Sequence, residues 1–511
     1  MGAGLGWQAL WATPLPSLII AGVDSLFGMH DLLRTAGMIT PVMGVLLTAA
    51  VYFLAAGVSC QKVAFIASMV TAVTPHFLWI SFSTEPEIYY TVFLITALGL
   101  LDRSITRNSL LFGAGAGCLF SCAYLSRSEG FLIMVISVMA LFIEQGKLVF
   151  RSYLPKIIAI VLVTFFVTAS PYLLFLKKNY GTFVISPKAT YVLIWMKGQV
   201  YKDHNKIEQE NDDLWGLTPE GRLKWQVPSG VGDLVQYLLQ DPEKSVRVYF
   251  NNLLSELPGR PANNSGALHY PNVYPIYMAL LAFYALSLQW EQPSRRKKTL
   301  LVSPFFILLV LPVFTEGWWK YLVPYAPLLT ILATIGLVLG VNKLFHNRKL
   351  VGTAVISLIT IVIMAYYVDR YHGLRTVLAP WQATPPPSPS VITDQNVSRK
   401  SLMTENARKA GQWATARYGT GKNYMVRWNK LIYHLNGLWT AFPVAEPLEI
   451  YQYALRNQVD YLAIEGINPD IPDDALTDAV YGFTLDSIFH AEKSLYRVAF
   501  FRPLPPATGN R

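Results

Sequence analysis

The sequence predicts an α-helical polytopic membrane protein of about ten to eleven transmembrane helices, followed by a small C-terminal external α/β domain. Three observations carry that prediction. The 511-residue chain is 53% hydrophobic and only 14% charged, outside the balance of an ordinary soluble domain. Apolar runs recur through the first 370 positions, most of them near the ~20 residues that cross a bilayer as helix. Beyond the Pro-rich stretch around 381–390 the hydropathy falls to that of a soluble domain.

The apolar runs place spans near 35–57, 62–82, 87–101, 109–126, 129–144, 154–176, 272–289, 299–314, 319–341 and 349–369. Residues 14–28 form an eleventh apolar stretch, too short and too proline-punctuated for a span. The basic residues then orient the bundle. Connections on one side carry Lys62, Arg103, Arg107, Lys147, Arg151, Lys156, the run Arg295 to Lys298, Lys343, Arg348 and Lys349, thirteen in all. Those on the other side carry Arg34, Arg127 and Lys320. An excess of that size marks the first side as cytoplasmic. It also accounts for much of the formal charge of +10 with no call for a nucleic-acid partner.

This topology gives an external or interfacial segment over 1–34, transmembrane helices over 35–176, and an external loop over 177–271. Further transmembrane helices fill 272–369, a Pro-rich linker 370–395, and an external soluble α/β domain 396–511. Within the loop, Val231, Leu234, Leu238 and Leu239 recur at helical spacing, as in a helix lying on the membrane surface. An external N-terminus expects one more helix upstream of Met1. Cys60, Cys118 and Cys122 lie in or beside the spans and the C-terminal domain has none, so no disulfide framework is implied. In that domain we expect helices at 403–418 and 447–457, and strands at 423–428, 459–465 and 495–501. Such alternation favours a partly parallel sheet.

Carboxylates gather where apolar runs begin. Glu85-Pro86-Glu87-Ile-Tyr-Tyr90 opens one run and Arg127-Ser-Glu129-Gly130 opens another. Ionisable groups at membrane depth are costly and mark functional sites by default. Helix capping explains one acid of the Glu85/Glu87 pair well, since Pro86 suits the first turn and a carboxylate suits the helix dipole there. It explains two less well. Arg127 and Glu129 read either as a brace for a tight turn or as a site, the guanidinium fork suiting a phosphate. Glu316-Gly-Trp-Trp-Lys320-Tyr321-Leu-Val-Pro324 reads as an interfacial aromatic anchor, or as a lipid-phosphate site beside a broken helix. Lys188 in the external loop offers a second cation for such a phosphate. Asp24 in an apolar stretch reads as a base or as a solvent-facing residue, and His76 as a ligand or a packing residue.

Taken together these residues resemble the GT-C superfamily of polyprenyl-phosphate-sugar glycosyltransferases, in particular its protein O-mannosyltransferase and lipid A aminoarabinose transferase group. Pro14 to Leu33-Arg34 is similar to the family's external segment before an early span. Glu87-Ile-Tyr-Tyr90 is similar to its Ser-Glu-x-x-Tyr signature, and Tyr124-Leu-Ser-Arg127-Ser-Glu129-Gly130 to its Tyr-Leu-Thr-Arg-x-Glu-Gly. Lys320-Tyr-Leu-Val-Pro-Tyr-Ala-Pro327 resembles Arg-Tyr-Leu-x-Pro-x-x-Pro, with lysine in place of arginine. Nothing here matches the family's first external loop, whose acidic residue is the expected catalytic base; its place lies before Met1.

The resemblance implies an integral, multi-pass membrane glycosyltransferase, in a bacterial inner membrane, with its active site and C-terminal domain outside the cytoplasm. A sugar would pass from a polyprenyl-phosphate donor to a protein, lipid or glycan acceptor with inversion. Glu87 and Glu85 are the expected catalytic acids. Arg127, Glu129, Lys320, Tyr321 and Lys188 are the expected substrate-binding residues. A divalent metal is compatible with the paired acids, but no ligand spacing demands one. A transporter of lipid-linked sugars competes, although it would favour internal repeats and midplane charges, and neither is visible. A scaffold without activity is the third reading.

Overall fold

The computed structural model describes residues 13–29, 32–82, 85–145, 153–180, 183–186, 217–219, 239, 242–255, 275–288, 292–310, 319–346, 348–369, 395–426, 431, 435, 437–443, 445–466, 482–490 and 497–505. The chain divides into two compact units, one of residues 13–186 and 238–386, the other of 1–12, 187–237 and 387–511.

The first unit is all helical. Its helices are α1 (Pro14–Phe27), α2 (Leu32–Val58), α3 (Gln61–Val73), α4 (Pro75–Phe82), α5 (Pro86–Arg107), α6 (Leu110–Ser126), α7 (Glu129–Gln145) and α8 (Leu154–Tyr180). There follow α9 (Pro242–Ser255), α10 (Ile276–Ser287), α11 (Gln292–Val302), α12 (Ile307–Val310), α13 (Trp319–Leu322), α14 (Ala326–Leu344) and α15 (Lys349–Asp369). Among the described residues, four helices are long and apolar enough to cross a membrane, and the pair α3–α4 makes a fifth candidate, bent by 59°. The stretch 62–82 is therefore not one straight helix but a bent pair, a broken span or a re-entrant loop. Pro75 supplies no N–H to the ladder, and Thr74 before it is extended (φ −67°, ψ 125°), as a residue preceding proline prefers. The stretch 299–314 likewise begins as the polar helix α11 and passes through a 3₁₀ turn at Ser303–Phe306 before α12.

Burial separates central from peripheral helices. The most apolar windows of α5 and of the segment Val323–Leu344 are 78% and 89% buried, against 39% for α2 and 33% for α8. The first two form the core, and the others turn large apolar side chains such as Val45 and Val167 outward, as hydrocarbon surroundings allow. Helices approach closely where side chains are small. At Gly117 on α6 a Cβ would lie 2.2 Å from the Val161 carbonyl oxygen of α8, so only glycine permits that contact.

The second unit contains a five-stranded sheet ordered β2-β1-β3-β5-β4, with β1 (Asn423–Val426), β2 (Leu438–Ala441), β3 (Tyr461–Gly466), β4 (Phe483–His490) and β5 (Arg497–Pro503). Strand β1 runs parallel to β2 and β3, while β5 is antiparallel to β3 and β4. Helix α16 (Gln395–Tyr418) packs Ala407, Ala410 and Ala414 on Tyr424, Val426, Tyr461, Val498 and Phe500. Helix α17 (Pro447–Arg456) packs Ile450, Tyr453 and Ala454 on the alternate residues Met425, Leu462, Ala499 and Phe501. Both faces are covered, which is why β1, β3 and β5 read as unbroken apolar runs. Sequence periodicity finds those three strands and both helices, although α16 begins at Gln395, before the expected 403. It passes over β2, only four residues long, and β4, whose pattern is broken by a register shift between Leu485 and Ser487.

Candidate active site

Two of the sequence clusters meet at one end of the bundle. Pro86 starts α5, and Glu85 is its N-cap residue with extended backbone but no side-chain cap bond. Glu87 lies in the first turn, and its residue is only 5% exposed. Capping is thus not what Glu85 does, and Glu87 is turned inward. Helix α6 ends at Arg127, extended at φ −155° and ψ 135°, whose N–H still donates to the Ala123 carbonyl. Helix α7 starts two residues later with Glu129 in its first turn. That tight reversal requires Gly130, because a Cβ there would come 2.4 Å from the Tyr124 backbone nitrogen.

Arg127 is the centre of the site. Its Nη1 donates to Glu87 Oε1, and its Nη2 donates to Glu129 Oε1 at 2.7 Å. The guanidinium carbon sits 4.7 Å from the centre of the Tyr321 ring, within cation–π range. The three charged side chains are 12%, 6% and 21% exposed for Arg127, Glu87 and Glu129. Both carboxylates lie at helix N-termini, where the macrodipole favours negative charge. One cation between two acids leaves a formal charge of −1. Glu87 Oε2 is buried and has no hydrogen-bond partner among the described residues. An oxygen in that state calls for a donor.

Neighbours hold the centre in place. Tyr124 donates its hydroxyl to the Ile185 carbonyl at 2.7 Å, and its ring packs 5.8 Å from Phe165 and 6.0 Å from Tyr172. Thr13 donates to the Ser126 carbonyl. The Tyr90 and Tyr325 hydroxyls meet at 3.1 Å. Tyr90 and Tyr325 belong to quoted motifs, but periodicity offers no sign that residues 235 positions apart would touch.

The remaining predicted residues fare unevenly. Tyr321 joins Arg127 directly. Glu85 is half-buried at the start of α5. Lys320 lies in α13, but its side chain is outside the described residues, as are Lys188 and Glu316. Asp24 accepts a hydrogen bond from Thr35 at 2.8 Å and so ties α1 to α2. His76 is buried at the start of α4. No group of three or more His, Cys, Asp or Glu among the described residues converges to hold a metal, and Arg127 occupies an oxygen of both Glu87 and Glu129.

An apolar helical bundle with a charged centre at one end, followed along the chain by an α/β domain, has the fold of the GT-C membrane enzymes ArnT and AglB. Residues 12–175 match the family model of dolichyl-phosphate-mannose-protein mannosyltransferase. Among solved structures, ArnT from Cupriavidus metallidurans bound to undecaprenyl phosphate aligns over 98% of this chain and 90% of its own, with TM-score 0.55 and 13% identity. The Archaeoglobus fulgidus oligosaccharyltransferase tethered to an acceptor peptide aligns over 89% of this chain, with TM-score 0.54 and 15% identity. This chain spans 61% of that enzyme's length. The oligosaccharyltransferase AglB from Archaeoglobus fulgidus, in complex with an inhibitory peptide and a dolichol-phosphate, aligns with TM-score 0.52 and 14% identity. No curated protein sequence matches. The family model covers residues 12–175 of the 511, and the solved structures share the fold of the chain.

Proposed function

We propose that the protein transfers a sugar from a polyprenyl-phosphate donor to an acceptor hydroxyl or amide on the external face of a bacterial inner membrane. The observation that carries this reading is the Glu87–Arg127–Glu129 centre, with Glu87 Oε2 buried and awaiting a donor. The ArnT structure bound to undecaprenyl phosphate and AglB with a dolichol-phosphate support the class of donor. The excess of Lys and Arg on the opposite connections supports the external face.

In this reaction the bond between the sugar's anomeric carbon and the phosphate oxygen breaks as the acceptor attacks from the opposite side. The acceptor proton must pass to a base, and the polyprenyl phosphate leaves as an anion. Glu87, anchored through one oxygen by Arg127, presents the other to orient the acceptor. Arg127 uses two of its five N–H donors on the carboxylates and offers the rest, together with Lys320 and Lys188, to the departing phosphate. Glu129 keeps Arg127 in place.

Single-turnover transfer from undecaprenyl- and decaprenyl-phosphate sugars in nanodiscs tests the proposal, with Glu87→Gln and Arg127→Ala as controls. Transfer or donor hydrolysis that both substitutions abolish supports it. Donor binding with no turnover, or turnover that both substitutions leave intact, overturns it and favours a transporter of lipid-linked sugars.

A further inference from the structure

We propose that Tyr90 and Tyr325 are positioning residues: their hydroxyl contact latches the broken helix α13–α14 onto α5 and so seats Tyr321 on Arg127. This deepens the transfer reading and rests on it.

The contacts form a closed circuit. From α5, Glu87 reaches Arg127 and Tyr90 reaches Tyr325. From the broken helix, Tyr321 covers Arg127 and Tyr325 reaches Tyr90. Glu87 and Tyr90 are three positions apart on one helix, and Tyr321 and Tyr325 four apart, so each pair lies on one helical side. The two elements are thus linked at two points, one directly through neutral hydroxyls, the other through Arg127, which pairs with Glu87 and lies over the Tyr321 ring. Both tyrosines of the latch are 1% exposed. A phenylalanine would fill either space, so the hydroxyls serve the hydrogen bond and not the packing.

The segment needs such an anchor. Between α13 and α14 the backbone tightens to a 3₁₀ turn over Val323–Tyr325, and Pro324 and Pro327 each remove an N–H from the ladder, which weakens the helix there. Local hydrogen bonding alone does not define where Tyr321 points. The tertiary contact to Tyr90 does. Lys320 is the chain neighbour of Tyr321, so the same docking sets where its backbone lies.

The test uses the full-length protein in nanodiscs with Tyr90→Phe, Tyr325→Phe and the double variant, read by hydrogen exchange and by transfer kinetics. In each variant we expect the amides of residues 320–326 to exchange faster, with those of 330–344 unchanged. We expect kcat to fall about five- to twentyfold with KM within about twofold, and the double variant to be no slower than the slower single. Unchanged exchange at 320–326 overturns the latch whatever the activity. Faster exchange with unchanged kcat, or a double variant whose loss is the product of the singles, overturns the positioning role. If the unaltered protein transfers no sugar from any donor, the proposed reaction fails, and exchange alone decides the latch.

Discussion

Arg127→Lys keeps the positive charge of the site and removes its fork. The guanidinium spans two carboxylates, through Nη1 to Glu87 and Nη2 to Glu129, and an ammonium on a shorter stem holds one at a time. The loss is one charge-assisted hydrogen bond, worth roughly 1.5–3 kcal/mol. To this is added part of the stacking on Tyr321, about 0.5–1 kcal/mol. Glu129, at 21% exposed, keeps partial access to solvent, which lowers the cost if the ammonium stays with Glu87. The sum is about 2–4 kcal/mol, or roughly 30- to 900-fold in kcat/KM if it is felt wholly in the transition state. Sugar transfer from a polyprenyl-phosphate donor in nanodiscs measures it, beside thermal unfolding of the same preparation. We expect kcat/KM to fall within that range while the variant stays folded. A variant within threefold of the parent, with normal unfolding, would refute the view that the fork matters.

Other substitutions probe separate links. Gly130→Ala puts a Cβ 2.4 Å from the Tyr124 nitrogen; we expect about 1–3 kcal/mol of destabilisation and loss of activity, seen as a lower unfolding midpoint. Asp24→Asn should leave at least about half the turnover, because Asp24 is a tether accepting from Thr35 and an amide oxygen accepts as well; abolished turnover with normal folding would make Asp24 a catalytic group. In the second unit, burial first, and then Asp486 beside it, push the Tyr418 hydroxyl up to about 12. A folded pKa above the unfolded value near 10 means stability that is complete below about pH 10 and lost as pH rises towards 12. Limited proteolysis of this domain across pH 9–12 should therefore show alkaline loosening that Tyr418→Phe reduces; an unchanged profile in that variant would point to another group.

The membrane class was legible because burial in lipid acts on composition, and composition is one-dimensional. Apolar runs announce themselves without any knowledge of what they touch. The acids at Glu87 and Glu129 were legible for the same reason, since charge at the end of such a run is out of place. Other features resisted. The bend at Thr74 is written in Pro75, but an apolar run masks it when hydropathy alone is averaged. Strand β4 was hidden because Asp486 and Ser487 interrupt its alternation, and only pairing with β5 shows that the register shifts there. Asp486 then lies 2.8 Å from both Arg502 and the Tyr418 hydroxyl, partners far away in the chain.

What could be read from the chain alone was its membrane class, the uneven placing of its basic connections, and the acids and arginine that gather where helices begin and end. Those properties follow from local free energies of transfer and from charge, each fixed residue by residue. That Arg127 lies between Glu87 and Glu129 and beside the Tyr321 ring, and that Tyr90 meets Tyr325, became visible in the folded chain. Those pairings depend on which helix packs against which. Helix packing is set by shape complementarity over many small contacts between distant segments, and no short window of the chain records it.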